Sequence, residues 1–180
     1  MTYFIGIDPS STCTGVCIVD ENGQVLAAHA IKRDDQDGLW QRGLACDLHV
    51  ALDTALSRIR RAGVQFVLEH QEWHGSKREK SPGSILVLQE ACGIAIGVVS
   101  VQFPQSRIRL VKPSEWKGQV DKETHHRIEL LPKWQAAAKA PGVALPKAKG
   151  PAADVLDAYG LAEFGRKRAR LEGIIREKCA

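Results

Sequence analysis

The sequence lacks the devices that hold very small folds together. Its five cysteines (13, 17, 46, 92 and 179) are odd in number and include no Cys-x-x-Cys pair. A disulfide framework and a cysteine zinc site are therefore not expected, and all five are read as reduced thiols of a cytoplasmic protein. There is no uninterrupted run of eighteen apolar residues, so no membrane span is expected. The opening MTYFIGIDPSST has no basic region and carries an early acid, which argues against a secretory signal. No internal repeat or low-complexity tract is present. His70 and His74 are four apart, but the segment reads HQEWH rather than HExxH, so it lacks the general base of a zinc hydrolase helix.

What is present is an ordinary globular composition: 44% hydrophobic and 26% charged residues over 180 positions. That length suits a single domain, 1–180, with a core large enough to need no staple. The charge is uneven. Residues 1–106 hold 9 Lys/Arg against 12 Asp/Glu, and residues 107–180 hold 16 against 9. A basic half fits a polyanion such as nucleic acid, or a plain solvated basic surface.

Three strands open the chain: YFIGID (3–8), TGVCIVD (14–20) and QVLAAHAI (24–31), the last two joined across an Asn-Gly hairpin signal. The period then becomes helical from Leu39 to Ala62, with Leu44, Leu48, Leu52, Leu56 and Ile59 on one stripe and Gly63 closing the helix. A fourth strand, VQFVLE (64–69), leads into a charged loop over 70–82. An apolar helix covers 83–102, and RIRLV (107–111) is a fifth strand. Residues 121–131 read as a helix started by Asp121. Residues 132–150, with three prolines, two glycines and four lysines, read as a mobile loop with room for one helical turn, and a last helix covers about 152–177. This order predicts an α/β fold with a mixed five-stranded sheet: an antiparallel meander of the first three strands, then two strands parallel to the first, with helices on both faces.

Four acids fall where this arrangement gathers side chains. Asp8 and Glu69 end strands that can lie side by side in parallel. Asp154 and Asp157, three apart near the start of the last helix, share a helical face. Four converging carboxylates repel unless cations bind. All-oxygen ligation suits Mg²⁺ or Mn²⁺, and two such ions serve phosphodiester hydrolysis. Asp20 also ends a strand and is read as a hairpin residue. Removing Asp154 or Asp157 is expected to relieve repulsion and so raise stability in metal-free buffer.

With GIDPSSTCTGVCIV, FVLEHQ and DVLDAYGLA in hand, the chain resembles the RuvC-type Holliday junction resolvases of the RNase H-like superfamily, from Phe4 to about Phe164. Ser10 stands where that family usually has glycine. The resemblance implies Asp8, Glu69, Asp154 and Asp157 as catalytic ligands of two Mg²⁺ (or Mn²⁺) ions. It implies Lys117 and Lys122 as basic residues near the scissile phosphate, and a homodimer acting on branched DNA, the four-way junction. The divergent, compact chain looks more like a phage- or virus-encoded member, working in the cytoplasm of a bacterial host.

The family often places a stacking aromatic three positions after the second acid. Here Glu72 is there and Trp73 follows. Trp73 is either a junction-stacking residue, helped by Lys77, Arg78 and Lys80 on phosphates, or a cover for the core edge. The apolar helix 83–102, with Gly93 and Gly97, is either a partner surface or the central helix of a monomer. Other readings are a related nuclease for RNA–DNA hybrid or flap DNA, and a non-cleaving nucleic-acid-binding module. The first motif is also similar to the opening of actin-like and sugar-kinase ATPases, which close two such domains where this length supplies one.

Overall fold

A computed structural model describes residues 1–10, 12–33, 39–57, 63–70 and 82–179. Trp73, Lys77, Arg78, Lys80 and Ile59 lie outside the described residues.

Strands β1 (Tyr3–Asp8), β2 (Cys13–Asp20), β3 (Val25–Lys32), β4 (Val64–Glu69) and β5 (Arg107–Val111) form one sheet in the order β3-β2-β1-β4-β5. β1 pairs antiparallel with β2 and parallel with β4, and β4 pairs parallel with β5. This is the mixed sheet expected from the sequence. β2 is buried along its whole length, because both faces of the sheet are covered; hence its near-continuous apolar sequence rather than an alternating one. In the β2–β3 turn, Asp20 Oδ1 accepts from the amides of Asn22 (2.9 Å) and Gln24 (2.8 Å). Asp20 is thus the hairpin residue that its position suggests.

The two faces hold two cores. On one face Ile5, Ile7, Phe66 and Leu68 meet helix α1 (Trp40–Leu56), whose Leu44, Leu48, Leu52 and Leu56 are all buried, and helix α2 (Pro82–Gln102). Phe66 is fully buried, with its ring centroid 5.3 Å from that of Phe103. Phe66→Ala is therefore expected to cost about 3–5 kcal/mol. The check is chemical denaturation, where the midpoint should fall at an unchanged slope.

α2 departs from the membrane expectation drawn above. Over Gly83–Gln102 its mean hydropathy is 1.9, and by length and composition alone it is apolar enough to cross a membrane. Polar residues interrupt the run in sequence without lowering its average much. In the fold, α2 is the crossover between the parallel neighbours β4 and β5, a connection that lies against one face of the sheet. Ala91, Cys92, Ala95 and Val99 are its buried side, while Leu86, Gly93, Gly97 and Val101 are exposed.

The other face is covered by helix α6 (Lys149–Cys179), which packs chiefly on β1 and β2. Phe4, Gly6 and Asp8 alternate toward this face. The approach is close because the strands supply glycines under the helix. A Cβ on Gly6 would lie 1.8 Å from the carbonyl oxygen of Ala158, and one on Gly15 would lie 2.0 Å from that of Asp154. Further along, Arg166 pairs with Glu163 (2.7 and 2.9 Å) and donates to the Glu21 carbonyl (3.4 Å), fastening α6 to the β2–β3 turn.

The region after β5 is more helical than its composition suggests. α3 (Pro113–Trp116) is a single turn, and α4 (Lys122–His125) starts at Asp121, whose side chain accepts from the Thr124 amide. A π-helical turn over His126–Leu130 follows, then α5 (Leu131–Ala137), where a loop with one helical turn is expected from sequence. Leu130 and Trp134, four apart and buried, are the helical signal that the prolines and lysines obscure. Pro132 offers no N–H and crowds the carbonyl four residues back, and the wider π turn just before it accommodates both effects.

Candidate active site

β1 and β4 run in parallel, with Ile7 opposite Leu68, so Asp8 and Glu69 leave the sheet at the same end. Asp8 pairs with Gly15 in the β1–β2 ladder. The close seat of α6 on Gly15 therefore brings the first turns of that helix, with Asp154 and Asp157, over Asp8. All four acids gather at one end of the sheet. Asp8, Glu69 and Asp157 are buried, and Asp154 is nearly so. The turn between β1 and β2 is held by Ser10, whose Oγ accepts from the amides of Thr12 (3.3 Å) and Cys13 (3.0 Å). A hydroxyl here orders the backbone where the resemblance has glycine.

The charges at this end are unequally compensated. Burial raises the Asp8 carboxyl well above the usual range, and Asp157, Glu69 and Asp154 raise it further. Asp154 is also raised, mainly by burial, although the Cys13 thiol donates to it. That thiol is itself pushed up to about 12 by burial and by Asp154, so it is no nucleophile. Asp157 is lowered. Burial opposes its charge, but His126 Nε2 sits 2.6 Å from Oδ1 and Lys122 Nζ 2.5 Å from Oδ2. Lys122 also approaches Asp154 at 3.9 Å. Glu69 Oε2 accepts from Trp116 Nε1 at 2.8 Å and lies 3.4 Å from Lys117 Nζ.

Lys117 and Lys122 are therefore placed directly against the acids. His126 and Trp116 are the residues that sequence reasoning missed. Asp121 as N-cap fixes the phase of the helix and sends His125 and His126 in different directions. His126 goes to Asp157, and His125 goes to Trp116, where the rings meet edge-on at 5.3 Å.

Among the described residues, no three His, Cys, Asp or Glu side chains close on one point as placed. Glu69 is held by Trp116, and Asp157 by His126 and Lys122. The donor set nonetheless fits a hard divalent cation. It is all carboxylate oxygen, and Asp157, Glu69 and Asp154 add their charges to burial in raising Asp8.

Neither a family model nor a curated protein matches the chain. Solved structures do. The fold is similar to RuvC of Thermus thermophilus in complex with a Holliday junction substrate, with a TM-score of 0.66 at 16% identity, covering 95% of this chain and 96% of that one. It is likewise similar to Thermus thermophilus RuvC alone, with a TM-score of 0.64 at 17% identity, covering 95% and 97%. A yeast mitochondrial Holliday junction resolvase matches at a TM-score of 0.47 and 17% identity, covering 94% and 80%. The class is thus an RNase H-like α/β fold. Within that class the architecture is similar to that of RuvC.

Proposed function

We propose that this chain is a divalent-metal-dependent endonuclease that resolves four-way DNA junctions by paired phosphodiester hydrolysis. The observation that carries the reading is the meeting of Asp8, Glu69, Asp154 and Asp157 at one end of a RuvC-like sheet. These four carboxylates hold Mg²⁺ or Mn²⁺. A bound pair of such ions supplies Lewis-acid activation of water and neutralises the leaving oxygen. The chain's own part is to place the acids, to bury them so that their field is strong, and to offer cations to the phosphate. Lys122 is about half exposed and so can exchange Asp157 for an incoming phosphate oxygen. Products carry a 5′-phosphate and a 3′-hydroxyl, as the resemblance implies.

A junction is two-fold symmetric, so a homodimer presents two sites to matching strands. The exposed Leu86, Gly93, Gly97 and Val101 of α2 form the proposed seat of the second copy. The basic half of the chain binds phosphates, so junction affinity should fall steeply as salt rises. The test compares a four-way junction, a Y-fork, linear duplex and an RNA–DNA hybrid, each in Mg²⁺ and in Mn²⁺. Paired nicks across the junction centre are expected. Faster hydrolysis of the hybrid or the fork would assign the chain to another RNase H-like substrate. Junction binding with no cleavage in either metal would make it a non-cleaving binding module.

A further inference from the structure

Trp116 is built into the site more firmly than a surface aromatic needs to be. It ends α3, a turn begun by Pro113 and tied by the Lys112 amide to Glu115 Oε2 at 2.6 Å. Its ring lies against Gly160 of α6, where a Cβ would come within 2.4 Å of Trp116 Cζ3. His125 closes one side edge-on at 5.3 Å, and Lys117 Nζ lies 5.0 Å from the ring centroid. The one polar atom of this clamped ring, Nε1, is spent on Glu69 Oε2 at 2.8 Å. Indole N–H is a donor only, so this contact fixes one oxygen of the Glu69 carboxylate.

We propose that Trp116 is the positioning residue of the acidic site. Seated in the notch left by Gly160, it holds the Glu69 carboxylate in its place beside Asp8 and so sets metal affinity. This rests on the metal-dependent reading above. Gly160 and Asp157 stand three apart on α6. The same helix therefore carries one of the acids and the notch that aligns another, across a sheet whose strands separate them in sequence.

The experiment uses the full chain without DNA and measures Mn²⁺ binding from the electron paramagnetic resonance signal of free Mn²⁺. Trp116→Phe keeps the ring and removes the donor. Loss of a hydrogen bond to a charged group is expected to weaken Mn²⁺ binding about tenfold or more, with the melting temperature nearly unchanged. In cleavage assays the Mn²⁺ concentration for half-maximal rate should rise by a similar factor, while the rate at saturating Mn²⁺ stays within about threefold, well inside the tenfold that one decade of barrier represents. Gly160→Ala is expected to weaken Mn²⁺ binding in wild type by displacing the indole, and to cost little more in the Trp116→Phe background. Wild-type Mn²⁺ affinity in Trp116→Phe would overturn the proposal. So would parallel losses of melting temperature and of saturated rate in both variants, which would make Trp116 a packing residue. Asp8→Asn separates the two levels. If it too binds Mn²⁺ like wild type, the metal site itself is misassigned; if it loses Mn²⁺ while Trp116→Phe does not, only the role of Trp116 falls.

Discussion

Asp8→Asn should lower single-turnover junction cleavage by at least about a thousandfold, or about 4 kcal/mol of barrier, while junction binding stays within a few-fold. The substitution keeps volume and removes charge from the acid that the other three surround. On the proposed reading, binding depends on the basic surface, which the substitution leaves untouched. The same variant should melt at a higher temperature than wild type in metal-free buffer at neutral pH. Burial and three neighbouring acids raise the folded-state carboxyl of Asp8. Its ionisation therefore costs stability at neutral pH, and that cost disappears as pH falls through the raised value toward the ordinary carboxylate range. The two melting curves should converge in acid.

Asp157→Asn should behave in the opposite way thermally while also abolishing cleavage. His126 and Lys122 lower the Asp157 carboxyl, so its contribution to stability is present at neutral pH and is lost as pH falls through the lowered value. Neutralising it removes the charge that His126 and Lys122 both pair with, leaving Lys122 only the longer contact to Asp154. The two helix acids are thus expected to differ: Asp154 is raised, mainly by burial, so its removal should stabilise, whereas Asp157 is lowered by His126 and Lys122, so its removal should destabilise. Equal thermal shifts in Asp8→Asn and Asp157→Asn would refute this division of roles.

Gly15→Ala should be one of the most damaging single methyls among the described residues. The added Cβ would meet the Asp154 carbonyl oxygen at 2.0 Å, with the carbonyl carbon at 2.4 Å. Backbone cannot rotate out of the way as a side chain can. Overpacking of this kind costs about 3 kcal/mol, roughly 6–12 °C in a chain of this size. Because the atom struck belongs to Asp154, cleavage should fall along with the melting temperature. Gly43→Ala is the control: it sits inside α1 with no atom within 4 Å of the added methyl. It should stabilise by about 0.5–1 kcal/mol, since alanine loses less backbone freedom in a helix than glycine. Differential scanning calorimetry of both variants, with junction cleavage of Gly15→Ala, checks the pair. A Gly15→Ala protein with wild-type melting and activity would mean that α6 does not approach the sheet this closely.

Much of this molecule was legible in its residues. The five strands announce themselves as short β-branched runs, and α1 by leucines every four positions, because burial on a regular element leaves a period in the sequence. The four acids were legible because each closes or opens such an element, and sheet topology then brings their ends together. What surrounds the acids was not. Trp116 meets Glu69 across 47 positions and His126 meets Asp157 across 31, and no local pattern encodes either meeting. α5 was hidden by Pro132, Lys133 and the lysines and prolines that follow it, since composition argued for a loop while two buried residues four apart decided for a helix. Lys117 and Lys122 were legible as basic residues of the site but not as partners of its acids. That pairing depends on where the 113–125 segment folds back.

The placement of α6 also has a temporal side. Asp8 is made well before the helix that completes its surroundings, which begins at Lys149. At about 5–20 residues per second, roughly 7–30 seconds separate the translation of Asp8 from that of Asp157. During that interval the emerging strands and α1 can form a hydrophobic layer, but the acidic centre does not exist. On the proposed reading, cleavage therefore waits for α6, and a chain that stops before Lys149 should not cleave DNA.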